Sequence, residues 1–191
     1  MRKERLEAFS DGVFAVIITI LVLDLKVPHG TDWHALKPLV PVFLCYDLSY
    51  LYIGIFWSNH HHLLQASERV TGGILWINLV LLFCLSLAPF TTAWMGENNY
   101  APLPVAVYGM MLLAAGLAYF VLTRRLIASH GRDSVLAASI GKDWKGTASM
   151  LVYVVAIPLA FVAPWLACVC YALVAVMWLL PNPGIERRVG G

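Results

Sequence analysis

The sequence predicts an all-α membrane protein with six transmembrane helices and both termini in the cytoplasm. Three observations carry that prediction. Charged residues make up only 13% of the chain and hydrophobic residues 60%, where a soluble domain has about 25% charged residues; mean hydropathy is +0.76. The apolar residues are gathered into runs of a length suited to a hydrocarbon core of about 30 Å, at 1.5 Å rise per helical residue. The basic residues, finally, fall almost all on one side of the resulting topology.

The first span is expected over residues 9–27, where FSDGVFAVIITILVLDL runs into Asp24, Lys26 and Pro28. A basic start before an apolar run also describes a secretory signal, but no small-residue cleavage site follows, so a retained span is expected. A polar loop with Pro28, Gly30, Asp32 and Lys37 precedes the second span, 39–57, which ends in Ser58-Asn59-His60-His61-His62. The third span, 73–95, contains Asn78 and, near its far end, Pro89. The fourth, 103–122, is stopped by Arg124-Arg125. After a polar linker bearing Arg132, Asp133, Lys142, Asp143 and Lys145, the fifth (148–164) and sixth (165–180) spans follow with almost no loop between them. They are expected to form a tight antiparallel hairpin, and the whole chain one six-helix domain.

Six spans put both termini on one side. With them lie Arg2, Lys3, Arg5, Arg69, Arg124, Arg125, Arg132, Lys142, Lys145, Arg187 and Arg188, against only Lys26 and Lys37 opposite. The excess of Lys and Arg places that side in the cytoplasm. Trp33, Trp94 and Trp165 then mark the outer interface and Trp57 and Trp144 the inner one, as aromatic belts do.

The remaining composition excludes several classes. Cys45, Cys84, Cys168 and Cys170 all lie in apolar segments without zinc-finger spacing, so they read as small apolar residues rather than disulfides or metal ligands. There is no H-E-x-x-H, no G-x-S-x-G and no paired catalytic carboxylates, so neither an enzymatic activity nor a cofactor is expected. The linker basics suit anionic headgroups of the lipid bilayer better than nucleic acid, which is not expected as a partner.

Chemistry concentrates on the first helix. At 100° per residue, Val16, Ile20 and Leu23 form one stripe, with Thr19 displaced to the side. That stripe is either ordinary bundle packing or, if several copies of the helix meet, the wall of a narrow pore; aliphatic rings can gate a pore by dewetting. Arg5, Phe9, Ser10 and Asp11 open the helix. Arg5 can snorkel to headgroups, and Ser10 or Asp11 can favour the helix start. Yet Asp11 is followed by twelve uncharged residues, and burial there demands partners. Trp57, Asn59, His60, His61 and Asn78 stand at the same depth and can join it in a hydrogen-bonded knot.

Two features point elsewhere. Asp47 lies a third of the way into the second span, where a carboxylate costs about 2.5–3.5 kcal/mol on insertion scales. It belongs in a hydrated outer vestibule or beside Tyr46 and Tyr50, and it can attract cations at an outer mouth or carry protons in a transporter. His60, His61 and His62 are metal-ligand types, but consecutive helical residues point about 100° apart, so one chain cannot aim all three at one ion.

The residues also resemble a family. Arg5-x-x-x-Phe9-Ser10-Asp11 is similar to the R-x-x-x-F-S-D signature of the transmembrane protein 175 family of potassium channels. Ser49 and Phe56-Trp57-x-x-His60-His61, Asn78-Leu79, and Pro89-Phe90-x-Thr92 extend the likeness over residues 5–92. The resemblance implies a potassium-permeable cation channel without a TVGYG-type filter, in which monovalent cations pass a constriction formed by the first helix of each subunit. Carried over by position, the constriction is Val16, Ile20 and Leu23, and Thr19 is the hydroxyl implicated in cation preference. The family more often has isoleucine or leucine where this chain has Val16, which implies a wider ring. One signature per chain implies a homotetramer in the cell membrane. The alternatives are a proton-coupled cation or metal transporter using Asp47 and His60–His62, and a non-conducting membrane scaffold, which leaves Asp11 without a purpose.

Overall fold

The computed structural model describes residues 3–67, 70–130 and 143–180. Arg2, Arg69, Arg132, Lys142, Arg187 and Arg188, which enter the charge argument above, and Asp133 of the linker lie outside the described residues. Among the described residues the secondary structure is entirely helical: α1 (Lys3–Leu23), α2 (Val40–Gln65), α3 (Gly72–Ser86), α4 (Ala88–Glu97), α5 (Pro102–His130), α6 (Trp144–Leu159) and α7 (Pro164–Leu179), with two 3₁₀ turns at Trp33–Ala35 and Lys37–Leu39. α3 and α4 form one rod, so the described residues make six helical rods. Four of these rods, Lys3–Leu23, Trp33–Gln65, Gly72–Glu97 and Pro102–Ser129, are long and apolar enough to cross a membrane. The hairpin pair α6 and α7, at 16 residues each, is shorter.

Helix limits depart from the apolar runs for local reasons. α1 stops at Leu23, before the Asp24–Val27 stretch, because Pro28 follows and the residues after Leu23 close only two more turn bonds. α2 continues past Trp57 to Gln65, which carries the histidine triplet onto the helix. The α3–α4 break falls at Leu87, where Pro89 supplies no N–H to the preceding turn. Thr71 caps α3 by accepting from the Ile74 N–H, and Asp143 caps α6 by accepting from the Gly146 N–H at 2.9 Å.

α1 packs on α2, α3 and α4, and α5 lies against α3, α4, α6 and α7, while α2 joins the two halves by touching α4 and α7. At the amino-terminal end Lys3 Nζ donates to the Gln65 carbonyl, a cation on the unpaired C-terminal carbonyls of α2. At the opposite end Lys26 and Glu97 form an exposed ion pair at 2.6 Å, and the Tyr100 hydroxyl donates to the Pro41 carbonyl.

The core between α2, α5, α6 and α7 is held by hydroxyls as well as apolar contact. Tyr52 donates to the Tyr171 carbonyl at 2.7 Å, Tyr153 donates to Tyr52, and Ser49 bridges Thr92 (2.7 Å) and Tyr108 (3.0 Å). Each of these five hydroxyls has a partner, as burial away from water requires. Gly109 is needed here: a Cβ at that position would run into the Tyr171 phenol, which is fully buried and donates to the Val105 carbonyl. Gly109→Ala is therefore expected to cost about 1–3 kcal/mol, the usual range for overpacking. A lowered thermal midpoint of the detergent-purified protein is the measurement that checks it.

Candidate functional site: the bare face and the polar junction of α1

Five residues of α1, Leu6, Ser10, Phe14, Ile17 and Leu21, are buried. Their spacing of four, four, three and four residues draws one stripe down the helix. The stripe carrying Val16, Ile20 and Leu23 lies off that face and is exposed: Val16 is 56%, Ile20 42% and Leu23 75% accessible. Thr19 is exposed beside them, its hydroxyl donating to the Ala15 carbonyl at 2.8 Å. Packing within the chain thus uses the other side of α1 and leaves this one bare.

At the amino-terminal end the buried stripe becomes polar. Ser10 donates to the Leu6 carbonyl (2.8 Å), so its oxygen can only accept from Asn78 Nδ2, 3.0 Å away. That fixes the Asn78 amide: its Oδ1 faces His60 Nε2 at 2.7 Å and accepts the Nε2–H. Ser10, His60 and Asn78 are all fully buried, and one side chain from each of α1, α2 and α3 meets in this chain of bonds. The His60 ring leans on Phe14 with centroids 5.6 Å apart. Its Nδ1 has no partner among the described residues.

A second, more open set flanks the first. Trp57 Nε1 donates to Asp11 Oδ1 at 2.9 Å. His61 stacks on Trp57, centroids 6.2 Å apart, and its Nδ1 lies 3.0 Å from Glu7 Oε1. Of the residues predicted to form a knot, Ser10, Asp11, Trp57, His60, His61 and Asn78 are in it. Arg5 and Phe9 are exposed, and Arg5 has no partner among the described residues. Asn59, expected as a candidate partner of Asp11, turns away: its amide donates to the Ile55 carbonyl, and its own carbonyl accepts from Tyr119 on α5. Glu7 was not anticipated. Its signal was its place four residues before Asp11, which puts both carboxylates on one line of α1.

Asp47 is exposed on α2 and no hydrogen bond reaches it from Tyr46 or Tyr50, whose rings pair with each other at 6.1 Å. The three histidines diverge as helical geometry demands. His60 goes to Asn78, His61 to Glu7 and Trp57, and His62 is exposed with its ring tilted against that of His61, centroids 5.8 Å apart.

The fold and this site define a multi-pass, all-helical membrane protein built around a first helix with one polar-anchored face and one bare face. The family model for "Endosomal/lysosomal potassium channel TMEM175" matches residues 5–89, the segment that holds the junction. A protein named as a potassium channel from Chryseobacterium sp. (strain P1-3) is 48% identical over 99% of this chain and 98% of its own length. The crystal structure of a lysosomal potassium-selective channel TMEM175 homolog from Chamaesiphon minutus superposes with a TM-score of 0.78 at 28% identity, covering 93% of this chain and 96% of that one. Human TMEM175, named an endosomal/lysosomal proton channel, is 35% identical over 43% of this chain but only 19% of its own length. The chain belongs to the TMEM175 family, a family of channels rather than enzymes.

Proposed function

We propose that the chain is a potassium-permeable channel of the cell membrane whose pore is lined by α1 from symmetric copies, four in number, with both termini cytoplasmic. The observation that carries this reading is the exposure of Val16, Thr19, Ile20 and Leu23 on a helix whose buried face is fully used. The names of the Chryseobacterium and Chamaesiphon minutus relatives support potassium as the permeant ion. Partly dehydrated ions cross the aliphatic rings of Val16, Ile20 and Leu23, with the Thr19 hydroxyl favouring potassium over sodium. The Ser10–Asn78–His60 and Asp11–Trp57 bonds set the rotation of α1 so that this face, and not the one bearing Phe14, meets its copies. Arg5 and Phe9, bare in the single chain, complete the contact between copies, and Asp47 attracts cations at the outer mouth.

The transporter alternative loses its metal arm, because the three histidines point to different partners. Proton passage remains a second reading, favoured by the naming of the animal relatives as proton channels. Ion flux from liposomes holding the purified protein, with and without a protonophore, separates the two. A current that reverses at the potassium equilibrium potential and needs no counter-ion supports the potassium channel; reversal at the proton equilibrium potential, or saturable, strictly coupled exchange, overturns it.

Asp11→Ala is expected to weaken assembly, because it removes the acceptor of Trp57 Nε1. The bond is half-exposed, so the loss is roughly 1 kcal/mol per subunit. Light scattering after gel filtration reads the result. A stable, fully conducting oligomer would remove Asp11 from the structural role.

A further inference from the structure

Between α5 and α6, on the end of the chain where Lys3 meets Gln65, lies an open groove of about 630 Å³ lined by Phe120, Arg124, Asp143, Trp144 and Leu151 among others. Its wall is apolar: Leu151 is 64% exposed and Phe120 half-buried. The other end is polar and holds one charge of each sign. The Arg124 guanidinium stands over the Phe120 ring, 4.9 Å from its centroid, and pairs with no carboxylate among the described residues. Asp143 uses Oδ1 to cap α6 through the Gly146 N–H, which leaves lone pairs on Oδ2 for a further donor. Trp144, next to it, is 58% exposed, as a tryptophan at a headgroup interface is.

We propose that this groove is a binding site for one phospholipid with a primary ammonium, phosphatidylethanolamine. The phosphate sits on Arg124, the ammonium donates to the Asp143 carboxylate beside the Trp144 ring, and an acyl chain lies along Phe120 and Leu151. Both charges of the headgroup find their opposite, and the apolar wall continues at the depth where the acyl chain begins. Choline carries the same charges but has no N–H to give a carboxylate. Phosphatidylglycerol offers nothing cationic to Asp143 and brings its anion beside that carboxylate. Arg124 alone would favour any phosphate; Asp143 is what makes the groove selective. The site does not depend on the conduction reading, because neither helix carries the bare face of α1.

Native mass spectrometry of the full chain, purified in mild detergent and titrated with phosphatidylethanolamine, phosphatidylcholine or phosphatidylglycerol, tests it. Wild type is expected to retain phosphatidylethanolamine roughly tenfold better than the other two, the worth of about one charge-assisted hydrogen bond. Asp143→Asn keeps the helix cap, since asparagine caps as well as aspartate, and is expected to erase the difference between ethanolamine and choline while phosphatidylglycerol gains. Arg124→Gln is expected to weaken all three lipids, and Arg124→Lys to restore most of the binding. Equal retention of ethanolamine and choline lipids by wild type, tighter binding of phosphatidylglycerol, or wild-type selectivity in Asp143→Asn would each overturn the proposal.

Discussion

Val16→Asn is expected to raise potassium flux through reconstituted protein by roughly tenfold, the equivalent of about 1.4 kcal/mol off the barrier. Val16 is the most amino-terminal member of the exposed stripe of α1 and 56% accessible in the single chain, so its isopropyl group contributes to no intrachain core that the substitution could damage. In a ring of copies an aliphatic constriction resists ions by excluding water. An amide at each position keeps water there and lets the ion carry more of its hydration shell through. Selectivity for potassium over sodium is expected to fall in the same variant, because a hydrated ion presents less of the size difference that a dry ring reads. Ion flux and reversal potential measure both effects. If joint substitution of Val16, Ile20 and Leu23 leaves flux unchanged, α1 does not line the pore.

Asn78→Leu is expected to destabilise the chain by about 1–3 kcal/mol, the cost of orphaning a buried donor. Asn78 is the only side chain of α3 in the junction, and it accepts from His60 while donating to Ser10. Leucine fills similar space but leaves His60 Nε2–H facing carbon. For a chain of this size each kcal/mol moves the thermal midpoint by about 2–4 °C. Asn59→Ala is the matched control. That amide bonds only a carbonyl of its own helix, and the change is expected to stay within about 0.5 kcal/mol. Similar losses in both variants would show that any polar deletion at this depth is equally costly, and that the junction has no special place in holding α1.

Much of this was legible in the residues. The apolar runs, the end of the first span before Pro28, the tight α6–α7 hairpin and the signature opening α1 were all legible, since proline withholds an N–H and about twenty apolar residues span a bilayer. The break of the third span at Leu87 was not, because a proline in a first turn is compatible with a continuing helix. Even the pairing of Asp11 with Trp57 and of Ser10 with Asn78 was narrowed by depth alone. Depth could not sort Asn59 from His60, because adjacent helical residues share a level and differ only in direction. Glu7 escaped notice because a carboxylate in the first turns of a helix is also an ordinary favourable charge there.

By itself the sequence determined where the apolar helical rods run along the chain and which polar residues share the amino-terminal end of α1. Only the tertiary structure decided which way α1 is turned, with Phe14 and Ile17 inward and Val16 and Ile20 bare. The reason is physical. In water a helix marks its buried face by being apolar on one side, but lipid is as apolar as a protein core, so the stretch of α1 from Val13 to Leu23, uncharged and apolar but for Thr19, presents aliphatic residues both inward and outward. On the reading proposed above, the rotation rests instead on a few hydrogen bonds, Asn78 to Ser10 and Trp57 to Asp11, and those exist only once α2 and α3 have come to meet α1.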